Sequence, residues 1–351
     1  MTRHAVTIID VAKAANVSKS TAARALTGAD EVSKRTREKV ARVAEELGYR
    51  PNGLARSMIT GNTETVGVVI PDMSNRFFSG ALQSIARTVR RHGYELLVSS
   101  TEGELDLERR SVELLATKRV DGLIVAPTST DTDHLRRLAD DGTALVLLDR
   151  AAPGIPSAGF VSVNNIEASR LAVDHLIALG HQHIGIISET RYDPSLSDAT
   201  EPSGLLPSAI RVAGYVRAMA DAGLPLRSER SSYSSADAYR ATTALLRARP
   251  RVTAVYCTDN VLSAGAFAAV QDSGRRCPED VSLIGFDDHE WATLVRPTLT
   301  VVAQPTEEIG VTAAEALLAG IGGAVRPTTH LLSGKLVTRD STAPPGVVSR
   351  G

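Results

Sequence analysis

Cysteine is nearly absent: the 351 residues include two, Cys257 and Cys277. Two thiols in this placement give neither a disulfide framework nor a zinc-ligand pattern, and both are expected to be small buried hydrophobes. Aromatic residues are scarce at 4%, with a single Trp. No apolar run approaches the roughly 18 residues of a membrane span. The N-terminal stretch MTRHAVTIIDVAKAA has no apolar signal core with a small-residue cleavage site, so a cytoplasmic protein with no membrane partner is expected. A glycine-rich phosphate loop and a G-x-S-x-G elbow are missing, and His181 and His183 begin a strand rather than spanning one helix turn. Asp287 and Asp288 are adjacent, so their side chains need not face one bond as a glycosidase requires. These absences point away from an enzyme, and no metal or cofactor is expected.

What is present is average in bulk and uneven in placement. Hydrophobic residues at 43% and charged residues at 23% describe a globular protein, and the length implies two domains or a domain with an appendage. The formal net charge of -1 hides an asymmetry: residues 1–60 hold 11 Lys or Arg against 6 Asp or Glu, and the remainder holds 28 against 34. A basic head on an acidic body is the electrostatic footprint of a nucleic-acid reader joined to something else.

The head reads as three short capped helices. Thr7 and Asp10 make a capping-box pair, and Ile8, Val11, Ala12 and Ala15 follow with the spacing of a buried stripe. Asn16 suits a tight left-handed turn, Val17 plugs it, and Ser18 caps a second helix from about Lys19 to Leu26. Ala22, Ala25 and Leu26 face inward, leaving Lys19, Ser20, Ala23, Arg24 and Thr27 outside. Ser33 caps a third helix through Lys34, Arg37, Val40, Val43, Ala44 and Leu47, ending at Gly48. Two short helices and a tight turn make a helix-turn-helix, whose second helix fits the roughly 12 Å major groove of DNA. Lys19, Ser20 and Arg24 are the candidate base readers.

The segments TIIDVAKAANVSKSTAARAL, VSKRTREKV and ELGYRPNGLARSM resemble the DNA-binding head of the lactose-repressor and purine-repressor (LacI/GalR) family of bacterial transcription regulators. The resemblance continues through VGVVIPDMSNRFFSG, KRVDGLIV, HLIALGH, RVAGY, CPEDVSLIGFDD, RPTLTVVAQP and VTRDSTAPP. It implies that residues 52–58 form a hinge helix on the operator, with Met58 in the place of the family's minor-groove leucine wedge. It adds Thr7, Ser18, Thr21, Tyr49, Asn52, Ala55 and Arg56 to the expected DNA contacts. Ala22 and Ala23 stand where family heads commonly carry Val and Ser, so only the docking mode transfers and the operator sequence does not.

From Val66 onward apolar runs alternate with amphipathic stretches: VGVVI, ELLVS, GLIVA and ALVLL, then IGIIS, AVYC and VSLIG, with helices between. That alternation predicts doubly wound parallel sheets in two similar lobes separated by a cleft. With the resemblance, the fold class is a small all-α helix-turn-helix head joined by a hinge to a two-lobed α/β periplasmic-binding-protein-like core. The expected boundaries are 1–50 for the head, 51–65 for hinge and linker, 66–342 for the core and 343–351 for a tail. Family precedent has the chain cross between lobes near 160, 290 and 323. Lobe one is then about 66–160 plus 292–322, and lobe two about 161–291 plus 323–342.

In open parallel sheets, ligands sit outside the carboxyl ends of the strands. Those ends carry Asp72 with Asn75, Phe77 and Phe78 just beyond, then Asp149 with Arg150, then Asp259, then Asp287, and Arg211 opens a helix near the same edge. Carboxylates and guanidinium groups bind adjacent hydroxyls, and an aromatic ring offers an apolar face to a sugar or a base. Arg211 and Asp287 match the family's effector contacts, and the resemblance adds Trp291. Asp259-Asn260 reverses the family's usual Asn-Asp order, which puts a carboxylate where an amide would face the effector. Residues 188–210, rich in Pro, Ser and Gly, are longer than in relatives and read as a mobile surface insertion, with a lid over the cleft as the alternative.

The expected function is a homodimeric, sequence-specific DNA-binding regulator and repressor, controlled by a carbohydrate effector in the cleft. A nucleobase-responsive regulator is the alternative, and a two-lobed sugar-binding protein or enzyme a more distant one. Its partners are a double-stranded operator and the small molecule. The chain's end, STAPPGVVSRG, carries no leucine heptad for a tetramer, so a dimer is expected.

Overall fold

Polar side chains start each helix of the N-terminal unit. In the computed structural model, which describes residues 6–27, 32–49, 62–152, 154–198, 206–323 and 327–346, Asp10 Oδ2 accepts from the Thr7 amide (2.9 Å) and hydroxyl (2.7 Å). Helix α1 (Ile8–Ala14) follows, and Asn16 makes the turn with a left-handed φ of 49°. Ser18 Oγ accepts from Thr21 N at 3.0 Å to open α2 (Lys19–Thr27), and Ser33 Oγ accepts from Thr36 N at 3.3 Å to open α3 (Lys34–Glu46). Val11, Ala12, Ala15, Ala22, Ala25, Val40 and Ala44 form the small core. Leu47 is exposed; the backbone turns at Gly48, and Tyr49 packs on the core.

The chain divides at Thr65/Val66 into two units. The second is built on two six-stranded sheets whose strand orders repeat each other. The first lobe runs β1 (Thr65–Ile70), α4 (Arg76–Arg91), β2 (Glu95–Ser100), α5 (Leu105–Thr117), β3 (Gly122–Val125), α6 (Asp133–Asp140), β4 (Ala144–Leu148) and β5 (Gly159–Val163). The second runs α7 (Asn165–Ala178), β6 (Ile184–Ser188), α8 (Pro207–Asp221), β7 (Ser228–Arg230), α9 (Ser235–Arg247), β8 (Ala254–Cys257), α10 (Asn260–Asp272), β9 (Ser282–Phe286), α11 (Trp291–Leu294) and β10 (Thr300–Ala303). The chain then returns through α12 (Thr306–Ile321), β11 (Thr329–Leu332) and β12 (Lys335–Val337). Sheet one is ordered β11-β5-β4-β3-β1-β2 and sheet two β12-β10-β9-β8-β6-β7. Strands β1, β3 to β6 and β8 to β10 are almost continuously buried, as parallel strands covered on both faces must be. β2 is different: it is an edge strand, and Leu97 and Val98 are exposed.

The lobe boundaries differ from the expected ones. β5 still belongs to sheet one, β10 pairs with β9 in sheet two, and β11 pairs with β5 before β12 returns to β10. The crossings therefore lie near 164, 304 and 333 rather than 160, 290 and 323. Strands such as TVVA and THLL are too short and too alike to announce which sheet they join, because partner choice is a long-range matter. The expected tail is also partly structural: Ala343 O accepts from Ser282 Oγ (3.1 Å) and from His181 Nε2 (2.9 Å).

Close helix packing requires glycine at a few points. A Cβ on Gly214 would lie 2.6 Å from Ile166 O and 2.7 Å from Ser169 Cβ, so the glycine of RVAGY is what lets α8 approach α7 and carry Arg211 to the cleft edge.

Candidate functional site

The carboxyl ends of both sheets converge on one cavity of about 500 Å³, a size typical of small-molecule sites. Of the effector residues expected from the sequence, Asp72, Asn75, Phe77, Phe78, Asp149, Arg150, Arg211, Asp259 and Asp287 all line it. Trp291 does not. Its ring packs edge-on against Phe267, 6.4 Å between centroids, on the flank of the lobe-two core, so its place in the expected set is corrected. Helix α11 turns this ring towards α10.

The lobe-one wall begins at β1. Asp72 Oδ1 accepts from the amide and hydroxyl of Ser74, both at 2.7 Å, fixing the loop. Asn75 Oδ1 caps α4 by accepting from Phe77 N at 2.9 Å, while its Nδ2 donates to Tyr233 Oη of lobe two at 3.0 Å. Phe77 and Phe78 are buried and packed edge to face, 5.1 Å between centroids. Beyond the end of β3, the Thr128 amide donates to fully buried Glu108 of α5 at 2.6 Å, and Glu108 pairs with His134 Nε2 at 2.9 Å, which holds Thr128 at the cavity.

Asp149 and Asp287 occupy matching positions, one in each lobe. Each is the residue after its strand, each has a left-handed φ (65° and 68°), and each donates its amide to the next strand, to Val161 O at 2.9 Å and Val302 O at 2.8 Å. Left-handed backbone in a non-glycine residue is a strained conformation of the kind that collects at functional sites. Asp149 Oδ1 is buried without a partner, and burial raises its carboxyl above the ordinary range, against the opposing charges of Arg211 and Arg150. Asp287 Oδ1 accepts from Gln304 Nε2 at 2.7 Å, whereas Gln304 Oε1 has no partner. Arg150 donates from Nη1 to Pro127 O at 3.2 Å, and its buried Nε is also unsatisfied.

Arg211 is 6% exposed. Its Nε donates to Asn165 Oδ1 and its Nη1 to Thr258 O, both at 2.8 Å, and its guanidinium carbon stands 3.7 Å from the centroid of the Phe286 ring. Beside it, Asp259 caps α10 by accepting from Val261 N at 2.7 Å. Burial, with the nearby Asp287 charge, pushes the Asp259 carboxyl up to about 7.

Glu189, Tyr233, Gln304 and the start of α8 also line the cavity and were not anticipated. Glu189 directly follows IGIIS, so the strand-end rule that selects Asp72 would have selected it; burial raises its carboxyl too. The 188–210 segment is more than a surface insertion at its described ends: Glu189, Leu206, Pro207 and Ser208 form cavity wall, and Leu196 is buried in the core. Residues 199–205 lie outside the described ones.

In the head, Ser18, Lys19, Ser20 and Arg24 are exposed. Ser18 Oγ is hydrogen-bonded to Ser20 Oγ (2.8 Å) and Thr21 Oγ1 (2.7 Å), so these hydroxyls form one cluster at the start of α2. Thr7 is exposed and tied to Asp10, Tyr49 is half-buried against the core, and Thr27 ends α2. Asn52, Ala55, Arg56 and Met58 fall outside the described residues.

A helix-turn-helix on a two-lobed binding-protein-like body defines a ligand-responsive DNA-binding regulator. Residues 7–52 match the bacterial regulatory proteins of the lacI family, and residues 173–342 the periplasmic binding protein-like domain. Catabolite control protein A of Priestia megaterium is 33% identical over 313 residues, covering 88% of this chain and 90% of that protein. The lac repressor dimer bound to operator and the anti-inducer ONPF superposes with a TM-score of 0.83 at 27% identity, covering 97% and 100% of the two chains. A LacI family transcriptional regulator from Enterococcus faecium with bound ribose gives a TM-score of 0.67 at 27% identity, covering 80% of this chain and 99% of the other. The chain belongs to the LacI family of bacterial regulatory proteins, DNA-binding transcription factors with an effector-binding domain. No described helix is long and apolar enough to cross a membrane.

Proposed function

We propose that the chain is a homodimeric repressor that reads a pseudo-palindromic operator through Lys19, Ser20 and Arg24, and that the cavity binds a sugar which controls DNA affinity. The observation that carries the sugar reading is the set of buried polar atoms without partners around the cavity: Asp149 Oδ1, Gln304 Oε1 and Arg150 Nε. Unsatisfied buried polar groups are costly, and a polyhydroxylated ligand satisfies acceptors and donors together. Phe77 and Phe78 are buried edge to face against each other, which leaves Tyr233, exposed on the cavity wall, as the ring a nucleobase would have to stack on. The ribose seen in the Enterococcus faecium relative accords with this class. The exposed Leu97 and Val98 on the open β2 edge provide the apolar surface for the dimer.

Fluorescence anisotropy on a labelled operator, selected from random duplex, tests the reading. Aldopentoses, aldohexoses, nucleosides and free bases are added in turn to full-length protein. A sugar is expected to change operator affinity by roughly 5- to 150-fold, the usual span of allosteric coupling. A response to bases or nucleosides alone would replace the sugar.

A further inference from the structure

The cavity is charged as well as polar. Its lining holds six carboxyl groups, Asp72, Glu102, Asp149, Glu189, Asp259 and Asp287, against two guanidinium groups, an excess of four negative charges when all are ionised. Among the described residues none of the six stands within salt-bridge distance of either guanidinium, whose hydrogen bonds go to Asn165, Thr258 O and Pro127 O. The two signs are also unevenly placed. Arg211 and Arg150 both act on Asp149, and Arg150 Nε has no partner there. Around Tyr233 the balance is different. Its hydroxyl accepts from Asn75 Nδ2 at 3.0 Å, and the four charges that act on it most strongly, those of Asp259, Asp287, Glu189 and Asp72, are all negative. Burial raises the carboxyls of Glu189 and Asp259 despite the arginines.

These carboxyls are too far apart for the simplest counter-charge. No three His, Cys, Asp or Glu side chains among the described residues come together closely enough to hold a metal ion. An organic cation is not bound by that limit, because an ammonium group on a carbon skeleton presents three N–H donors and needs only hydrogen-bond reach to each carboxylate. An aromatic ring beside it adds attraction, and Tyr233 is 41% exposed on the cavity wall. Apart from the charge, the cavity is built for an occupant: Asp149, 8% exposed, brings Oδ1 to its wall without a partner.

Resting on the sugar reading, we propose that the effector is an amino sugar, whose hydroxyls meet Asp149 and Arg150 while its protonated amine sits beside Tyr233 among Asp72, Glu189, Asp259 and Asp287. The ring hydroxyls then satisfy Asp149 Oδ1 and Arg150 Nε, and the amine supplies the positive charge that the other side of the site lacks. Charge-assisted hydrogen bonds to carboxylate are the stronger kind, so the amine is the part of the ligand that the cavity selects.

Two measurements test this. In the first, full-length protein is titrated calorimetrically at pH 7 with D-glucosamine, D-galactosamine and D-mannosamine, each beside its parent hexose and its N-acetyl derivative, and with D-ribose. At least one amine is expected to bind about tenfold or more tightly than its parent, as an added charge-assisted bond implies, and that preference should fall severalfold in Glu189→Gln or Asp259→Asn. Parents that bind as tightly as the amines, ribose binding alone, an N-acetyl derivative that matches its amine, or a preference that survives in both variants overturns the proposal and leaves the sugar reading standing. If none of these sugars binds, the sugar reading fails and takes this one with it.

The second measurement needs no ligand. Neutralising one of several carboxyls that no cation answers relieves repulsion in the empty cavity. Glu189→Gln or Asp259→Asn is therefore expected to melt above the wild type at low salt, and melting at or below the wild type in both variants would mean that these charges are already compensated, which overturns the proposal.

Discussion

Arg76 Nη2 lies 2.6 Å from Glu290 Oε1, and the pair joins the first turn of α4 in lobe one to the residue before α11 in lobe two. One residue away, Asn75 makes the second bridge to Tyr233. Both contacts flank the cavity and can form only while the lobes stand at this separation. Because both ends of the ion pair are more than half exposed, its energy is small, about 0–1 kcal/mol. Glu290→Gln is expected to leave thermal stability within about a degree or two while weakening effector binding a few-fold at low salt. The deficit should shrink as salt screens the pair, which effector titrations at two ionic strengths will show.

Asp149→Asn removes the unpartnered carboxylate without changing the side chain's size. Losing a charge-assisted hydrogen bond costs about 1.5–3 kcal/mol, so effector affinity is expected to drop by roughly 10- to 150-fold. Operator affinity should stay at the wild-type value, because the substitution lies in the effector-binding unit. Calorimetric titration with the effector and anisotropy on the operator read the two quantities separately; a loss of operator affinity to match would point to damage outside the cavity.

Asp287 calls for a different substitution. Its φ of 68° suits asparagine and penalises alanine, whose left-handed cost is about 1–2 kcal/mol. Asp287→Asn should abolish or sharply reduce the effector response in a stably folded protein, whereas Asp287→Ala should also lower the denaturation midpoint. Equal midpoints for the two variants would show that the backbone relaxes here.

Arg24→Ala is expected to cost about 1–3 kcal/mol on the best operator and much less on random duplex. Competition binding at a fixed salt concentration distinguishes the two. Equal losses would reassign Arg24 to a phosphate contact.

Replacing Val98 by Asp places a charge on the exposed β2 edge. Sedimentation at micromolar protein should show the dimer giving way to monomer, with operator affinity falling because two half-sites are no longer presented together.

The strand ends were legible because a parallel sheet buries its whole length and leaves polar residues only where the chain emerges. Asp72, Asp149, Asp259 and Asp287 each follow an unbroken apolar run, and each reaches the cavity. Glu189 and Gln304 obey the same logic, after β6 and β10, and could have been read. Tyr233 could not: it follows a three-residue strand, and its role depends on an asparagine 158 positions earlier in the other lobe. Trp291 came from the resemblance alone, and the direction of its ring is settled by a four-residue helix. The helix caps at Thr7, Ser18 and Ser33 were visible for the opposite reason, since they depend on neighbours within three residues.

Both sheets receive strands from the last stretch of the chain: β11 closes the edge of sheet one, β12 that of sheet two, and the backbone of Ala343 is stitched to Ser282 and His181. On the ribosome, the head has all its core residues by Ala44, while each lobe lacks an edge strand until more than 330 residues have been made. The DNA-reading part is therefore ready before the part that regulates it. A chain cut short before β11 would keep the head's whole core and lose the final strand of both lobes.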